Sequence, residues 1–328
     1  MKFASFSVAV ISSLVLVGCS SDETAGPAQT PPTSTPGESV TAGEEVLLRY
    51  RFQAGDRFHF EMKLEMTAES AGIEIPVAIT NSMIRIVDVV DADGVATMTQ
   101  TMQSVSFLGR YPQGTLAYDT ASDDEEPVEH FAWPVIKSQI QLAGLREYSF
   151  RVDPLGNTFD FQYSPESLAQ AKKMGQNPAL KGMIDMQDAM MKQSNFCFYL
   201  PRLSQQAVPI GGSWEIEETD LVMYGAPGRR KYQFTLRSRE DQNSELSVLI
   251  DGTVKEDIDY PEEAQFKMVT KSMSYTGRFS LTDGFFPSWV LTQERVTTYP
   301  IQPGVLAEES QKQKITYTMS RLPAADAN

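Results

Sequence analysis

The sequence predicts a mainly β protein with a helical insertion, an α+β body built of antiparallel meanders. Three observations carry that expectation. Apolar and polar residues alternate with period two in run after run, Gly- and Asp-rich turn signals separate the runs, and two segments abandon alternation for helical spacing. The composition suits a folded body, with 41% hydrophobic and 22% charged residues.

The first run opens at Val46. Leu48, Tyr50, Phe52, Phe58, Phe60, Met62, Leu64 and Met66 share one parity, and Arg49, Arg51, Arg57, His59, Glu61, Lys63 and Glu65 share the other. That is the pattern of strands with one buried and one wet face, interrupted at Gly55-Asp56 where the chain can turn or bulge. Residues 77–90 and 95–108 read as two further strands joined by Asp91-Ala92-Asp93-Gly94. Residues 146–152 and 158–163 flank Asp153-Pro154-Leu155-Gly156-Asn157, a strong hairpin signal. Later runs fall at 214–223, 230–239, 245–255, 266–281, 288–299 and 311–322, with a turn at Asp283-Gly284. The half-polar texture predicts antiparallel pairing, since strands of parallel sheets are apolar on both faces.

Residues 134–145 read as a short helix, with Val135, Ile136, Ile140 and Leu142 on one side. Residues 164–195 read as two helices. Ser164-Pro165 and Asn177-Pro178 each put a capping side chain before a proline at the first helical position, and Gly175 can end the first of the pair. The second, at 178–193, carries an apolar stripe with Met183, Met186, Met190 and Met191. Methionines there suit either core packing or an adaptable lid over an apolar ligand.

Gly55-Asp56-Arg57-Phe58-His59-Phe60-Glu61 echoes Gly211-Gly212-Ser213-Trp214-Glu215-Ile216-Glu217. The chain therefore divides into a β-rich half at 46–163, a helical bridge at 164–206, a second β-rich half at 207–322 and a tail at 323–328. Two such halves would form curved sheets or half-barrels covered by helices. The echo fits a duplication and equally fits chance likeness between hairpin sequences.

The N-terminus carries an address. Lys2 precedes an uncharged apolar stretch at 3–17, a signal-peptide core too short to span a bilayer. It ends in Leu16-Val17-Gly18-Cys19, which resembles the bacterial lipobox. The resemblance implies that residues 1–18 are removed, that the Cys19 thiol carries diacylglycerol, and that the new amine is often acylated as well. One acyl chain holds a protein marginally and two or three hold it stably. Ser20 in place of Asp implies, within that family, the outer membrane of a host that has one. The rest of 19–45 is rich in Ser, Thr, Pro, Gly and Ala and reads as a disordered tether spanning roughly 30 Å.

The short apolar lead-in, Gly55-Asp56-x-Phe58, the long meanders and the Asp-Gly turns resemble a family of β-rich bacterial lipoproteins of no assigned activity. More distantly the layout is similar to the half-barrel lipid carriers of the bacterial envelope. That second likeness is architectural and transfers no functional residue.

No motif for chemistry stands out. The 43 acidic against 28 basic residues, a formal charge of −15, argue against nucleic acid as a partner. Two His and two Cys argue against a dedicated His/Cys metal site. Gly211-Gly212-Ser213-Trp214-Glu215 begins like a nucleophile elbow but has Glu215 where the second glycine belongs. His59 falls on the wet parity, and His130 sits beside an acidic loop at 123–126; neither has a nucleophile or ligand partner named by the sequence. Asp91-Ala92-Asp93-Gly94 resembles the middle of a calcium loop but has Val89 and Gln100 at the first and twelfth ligand positions. Cys197 lies among Phe196, Phe198 and Tyr199, the setting of an inert buried thiol.

The expectation is thus a non-catalytic, lipid-anchored envelope protein that binds or scaffolds, without cofactor or metal, its partners being the membrane through its anchor and an envelope protein or apolar ligand. The rivals are a carrier of lipid between sheet and helices, and a hydrolase using a carboxylate pair that the sequence does not locate.

Overall fold

The computed structural model describes residues 45–70, 73–123, 125–144, 147–176, 200–223, 226–242, 245–262, 264, 266–302 and 305–323. Cys19, Cys197, Met183, Met186, Met190, Met191 and the expected second helix at 178–193 lie outside these residues.

The alternating runs are strands. In chain order they are β1 (Glu45–Val46), β2 (Arg57–Ser70), β3 (Ile73–Val90), β4 (Ala96–Tyr111), β5 (Gly114–Asp119), β6 (Tyr148–Val152), β7 (Thr158–Tyr163), β8 (Val208–Pro209), β9 (Ser213–Met223), β10 (Ala226–Gln242), β11 (Glu245–Ile258), β12 (Lys267–Ser280), β13 (Phe285–Gln302) and β14 (Val305–Arg321). The described helices are α1 (Trp133–Gly144), between β5 and β6, and α2 (Pro165–Met174), after β7. The Ser164 hydroxyl accepts from the Ser167 amide at 3.1 Å with Pro165 at the first turn, and Gly175 caps the other end, as the sequence predicts.

Every pairing in the main sheet is antiparallel, and its strands run in the order β7-β6-β4-β3-β2-β14-β13-β12-β11-β10-β9, with β5 on the side of β4. The sheet is curved and does not close on itself. Its two β-rich runs are one continuous sheet, because β2 pairs with β14 from Phe58 opposite Arg321 to Glu69 opposite Ser310. The inner face carries the core: Phe58, Phe60, Leu64, Met83, Met98, Phe279, Phe286 and Tyr317 are all essentially inaccessible. Bulges reset the alternation. β4 carries the extra residue Gln103, so its inner parity passes from Met98 and Gln100 to Val105 and Phe107; β12 does the same at Lys271.

One expectation is corrected. Residues 47–54 alternate as a strand does, with Leu48, Tyr50 and Phe52 buried, yet they pair with no strand. They form a strap across the inner face. The Tyr50 amide donates to Pro154 O and the Arg51 amide to Gly284 O, both at 2.9 Å. An extended chain alternates its side chains whether or not it belongs to a sheet, so periodicity alone misplaces it. Both receiving turns have glycine at positive φ, Gly156 at 85° and Gly284 at 74°. A Cβ at Gly156 would meet the Tyr50 ring at 2.7 Å and Pro201 O at 2.8 Å, and one at Gly284 would meet the Arg51 side chain at 2.7 Å.

Candidate functional site

A second strap, residues 200–209, lies over the inner face beside the first. β8 within it pairs with β1, joining the two straps. The Tyr50 hydroxyl donates to Pro201 O at 2.8 Å, the Leu203 amide donates to Leu155 O at 2.9 Å, and the Arg49 guanidinium donates to Ser204 O at 2.7 Å. Leu155 and Asn157 of the β6–β7 turn line one groove with Ser213, Trp214 and Ile216 of β9. The first and last strands of the sheet order therefore approach one another here, and the second strap fills the seam between them.

Beneath the seam is a small apolar hollow of about 40 Å³. Tyr232, Phe234, Tyr275, Trp289 and Tyr317 line it together with Val254, Met273 and Leu291, and Pro201 and Arg202 bound it on the strap side. Natural interiors leave few voids. The rings around it pack edge-on and face-on: Phe234 meets Tyr275 at 5.5 Å, and Trp289 stacks on Tyr317 at 4.9 Å.

One end of the hollow is ionic. Arg202 pairs with Glu218 of β9, and Arg230 of β10 lies between Glu218 and Glu256, at 3.3 Å and 2.8 Å. The Tyr232 hydroxyl donates to Glu218 at 3.1 Å, and Thr270 donates to Glu256 at 3.2 Å. All six side chains are buried. Two guanidinium groups and two carboxylates balance in charge, which is what makes burial of four ions tolerable.

A second polar row crosses the same face on β13 and β14. Arg295 donates to Gln293 at 2.6 Å, Gln293 to Gln313 at 2.6 Å, Gln313 to Gln311 at 3.0 Å, and Gln311 to Glu309 at 2.6 Å. Each amide donates toward Glu309, so the chain of bonds has one direction. Burial pushes the Glu309 carboxyl above its ordinary range, and the bond from Gln311 opposes that shift in part. Among the described residues the second Glu309 oxygen and the Thr297 hydroxyl, on cross-strand partner positions, have no hydrogen-bond partner. In the opposite half, Arg85 lies 3.6 Å above the Phe60 ring and donates to Gln100, which donates to Tyr148.

His59 points outward on β2 and contacts the Ser82 hydroxyl at 2.8 Å. His130 packs against Tyr111 and Phe131, and its Nδ1 accepts from the Ala132 amide at 3.2 Å. Burial pushes the Tyr111 phenol up to about 12. Asp91-Ala92-Asp93-Gly94 is a hairpin turn, in which the Asp91 side chain accepts from the amides of Asp93 and Val95, each at 3.0 Å. Glu126 of the acidic loop is held by Lys137 at 2.6 Å. Among the described residues no group of three His, Cys, Asp or Glu side chains is placed to hold a metal ion. The sequence reading missed both buried polar rows. Their signal was parity, since Glu309, Gln311 and Gln313 share the phase of Ile315, Tyr317 and Met319.

No family model matches the chain, and no curated relative matches it in sequence. Among solved structures it is similar to lipovitellin, at 11% identity and a TM-score of 0.40 over 85% of this chain and 27% of that one. It thus spans about a quarter of the lipovitellin chain. It is also similar to a DUF1329 family protein of Desulfovibrio piger, at 8% identity and a TM-score of 0.16 over 84% and 88% of the two chains. An exported protein of Bacteroides fragilis with a YmcC-like fold aligns at 9% identity and a TM-score of 0.19, over 81% of this chain and 97% of that one.

Proposed function

We propose that this is a non-catalytic binding or scaffolding protein of the bacterial envelope, anchored by lipid at Cys19, whose folded body works through its outer surface. The observation that carries the reading is the inner face. Two straps cross it, and the apolar hollow they cover measures about 40 Å³, while the groove of about 510 Å³ beside the second strap is lined largely by polar residues, among them Asn157, Ser204, Gln205, Glu215 and Glu217. Small-molecule pockets run to roughly 300–1,000 Å³, and a carrier of whole lipid needs space of that order. The buried ionic cluster at the end of the hollow supports a structural role, because Glu218 and Glu256 are both engaged by Arg230.

The test is thermal stability of the full-length lipidated protein before and after extraction of co-purifying lipid, since a bound ligand raises stability by mass action. The expected result is an unchanged melting temperature and no stoichiometric non-covalent lipid by mass spectrometry. A fall on extraction, restored by adding lipid back, would overturn the reading in favour of a carrier. One observation favours a narrower form of that second reading: five aromatic rings surround the hollow, a lining suited to a small apolar group. Saturable xenon binding to the full-length protein, with a rise in melting temperature, would support it.

A further inference from the structure

Several cations on the outer face of the sheet are paired with acids. Lys63 bonds Glu65, Lys231 bonds Glu215, Arg237 bonds Asp251 and Arg278 bonds Glu240. Among the described cations without such a partner, three converge on one place. A hollow of about 420 Å³ on the outer face of β4, β3, β2, β14 and β13 is lined by Arg110, Lys312 and Lys314, all exposed. None of these three cations makes an ion pair with any described residue, although Glu294 stands directly opposite Lys312 in the β13–β14 register. Glu65, the one acid in the lining, is bonded to Lys63 at 2.9 Å. A chain with a formal charge of −15 thus concentrates unpaired positive charge in one depression.

The floor has a different chemistry. Thr67 and Ala78 are short enough to leave the space open between the long side chains, and Pro76, Ala78 and Leu108 give it an apolar part, with Leu108 38% exposed. A free inorganic anion would use the cations and leave the apolar part bare. A molecule carrying an anionic group next to hydrocarbon would use both.

We propose that this hollow binds the phosphate-bearing head group of an anionic membrane lipid, with Arg110, Lys312 and Lys314 around the phosphate and Leu108 and Pro76 against the start of the apolar portion. The proposal deepens, and rests on, the reading that the body works through its outer surface close to the membrane. Charge complementarity selects the anion, and the mixed lining selects lipid over free phosphate. A tether of the length the sequence predicts, roughly 30 Å, would let the body reach lipid of the membrane that holds it.

The test uses the full-length protein in neutral detergent and a soluble short-chain lipid, dihexanoyl phosphatidylglycerol, followed by calorimetry. Saturable binding is expected, weakening as salt rises. The triple variant Arg110→Gln, Lys312→Gln, Lys314→Gln should bind at least about tenfold more weakly, a loss of about 1.4 kcal/mol spread over three exposed contacts. Its melting temperature should match the wild type, since all three side chains are exposed. Lys231→Glu, on the outer face of β10, should bind as the wild type does. Equal binding of dihexanoyl phosphatidylcholine, or undiminished binding by the triple variant, would overturn the proposal. Binding of inorganic phosphate as tightly as the lipid would also overturn it, in favour of a free-anion site. The soluble probe reports on the hollow whether or not Cys19 carries lipid, so failure here and failure of the anchor are separate results.

Discussion

The Arg202 guanidinium, on a strap that belongs to no main-sheet strand, pairs with Glu218 on the strand that ends the sheet, and both are buried. That pair fastens an irregular segment to the sheet at the seam where its two ends approach. Truncating Arg202 leaves two buried carboxylates, Glu218 and Glu256, sharing the single Arg230 guanidinium. Arg202→Ala should therefore destabilise the protein by about 3–5 kcal/mol. Denaturant unfolding of the two proteins measures it, and a loss under about 1 kcal/mol would show that the strap is not held by this bond.

Glu309 makes stability depend on pH in a known direction. Burial raises its folded pKa above the ordinary carboxyl range, so the neutral form is favoured in the folded protein. Its contribution is fully present below the ordinary carboxyl range and is lost as pH rises through the folded value. Glu309→Gln keeps an acceptor for the Gln311 amide and cannot ionise. The variant should match the wild type in acid and become the more stable of the two toward neutral and alkaline pH. Parallel unfolding curves across that range would contradict the assignment.

Phe60 and His59 are neighbours in sequence and opposites in environment. Phe60 is fully buried beneath Arg85, and His59 points outward to Ser82. Phe60→Ala should cost about 3–5 kcal/mol, and Phe60→Asp should prevent folding because it adds a buried unpaired acid. His59→Asp should change stability by less than about 0.5 kcal/mol. Thermal melts of the three variants read out the contrast.

Labelled palmitate should enter the wild-type chain in bacterial cells and be absent from Cys19→Ser, which should accumulate unprocessed. Equal label in both would remove the lipid anchor from the proposed function.

Most strands were legible because a half-wet antiparallel sheet writes period-two alternation into the chain, and β7 falls on the range the alternation predicts. β5 escaped because Leu116 is its one buried side chain, too little for a pattern. The 47–54 strap was misplaced because any extended segment alternates. The buried rows were legible only through phase: Arg295 and Gln293 lie on the parity of Leu291 and Trp289, yet polarity suggests an outward face. Their burial follows from neighbours on other strands, Met268 and Gln313, that local sequence does not reveal. The cationic hollow depends on β14, β2, β3 and β4 meeting in register, so no single run of residues announces it.

The pairing of β2 with β14 sets an order of events in the cell. Phe60 faces Met319, so the middle of the sheet is completed only once β14 has been made. Until then each half presents a bare hydrogen-bonding edge, one along β2 and one along the growing C-terminal meander. Such edges recruit other chains, and pairings between distant segments form slowly. A chain cut short before residue 305 would lack β14 and keep both edges bare, making it a substrate for proteases and chaperones rather than a smaller folded protein.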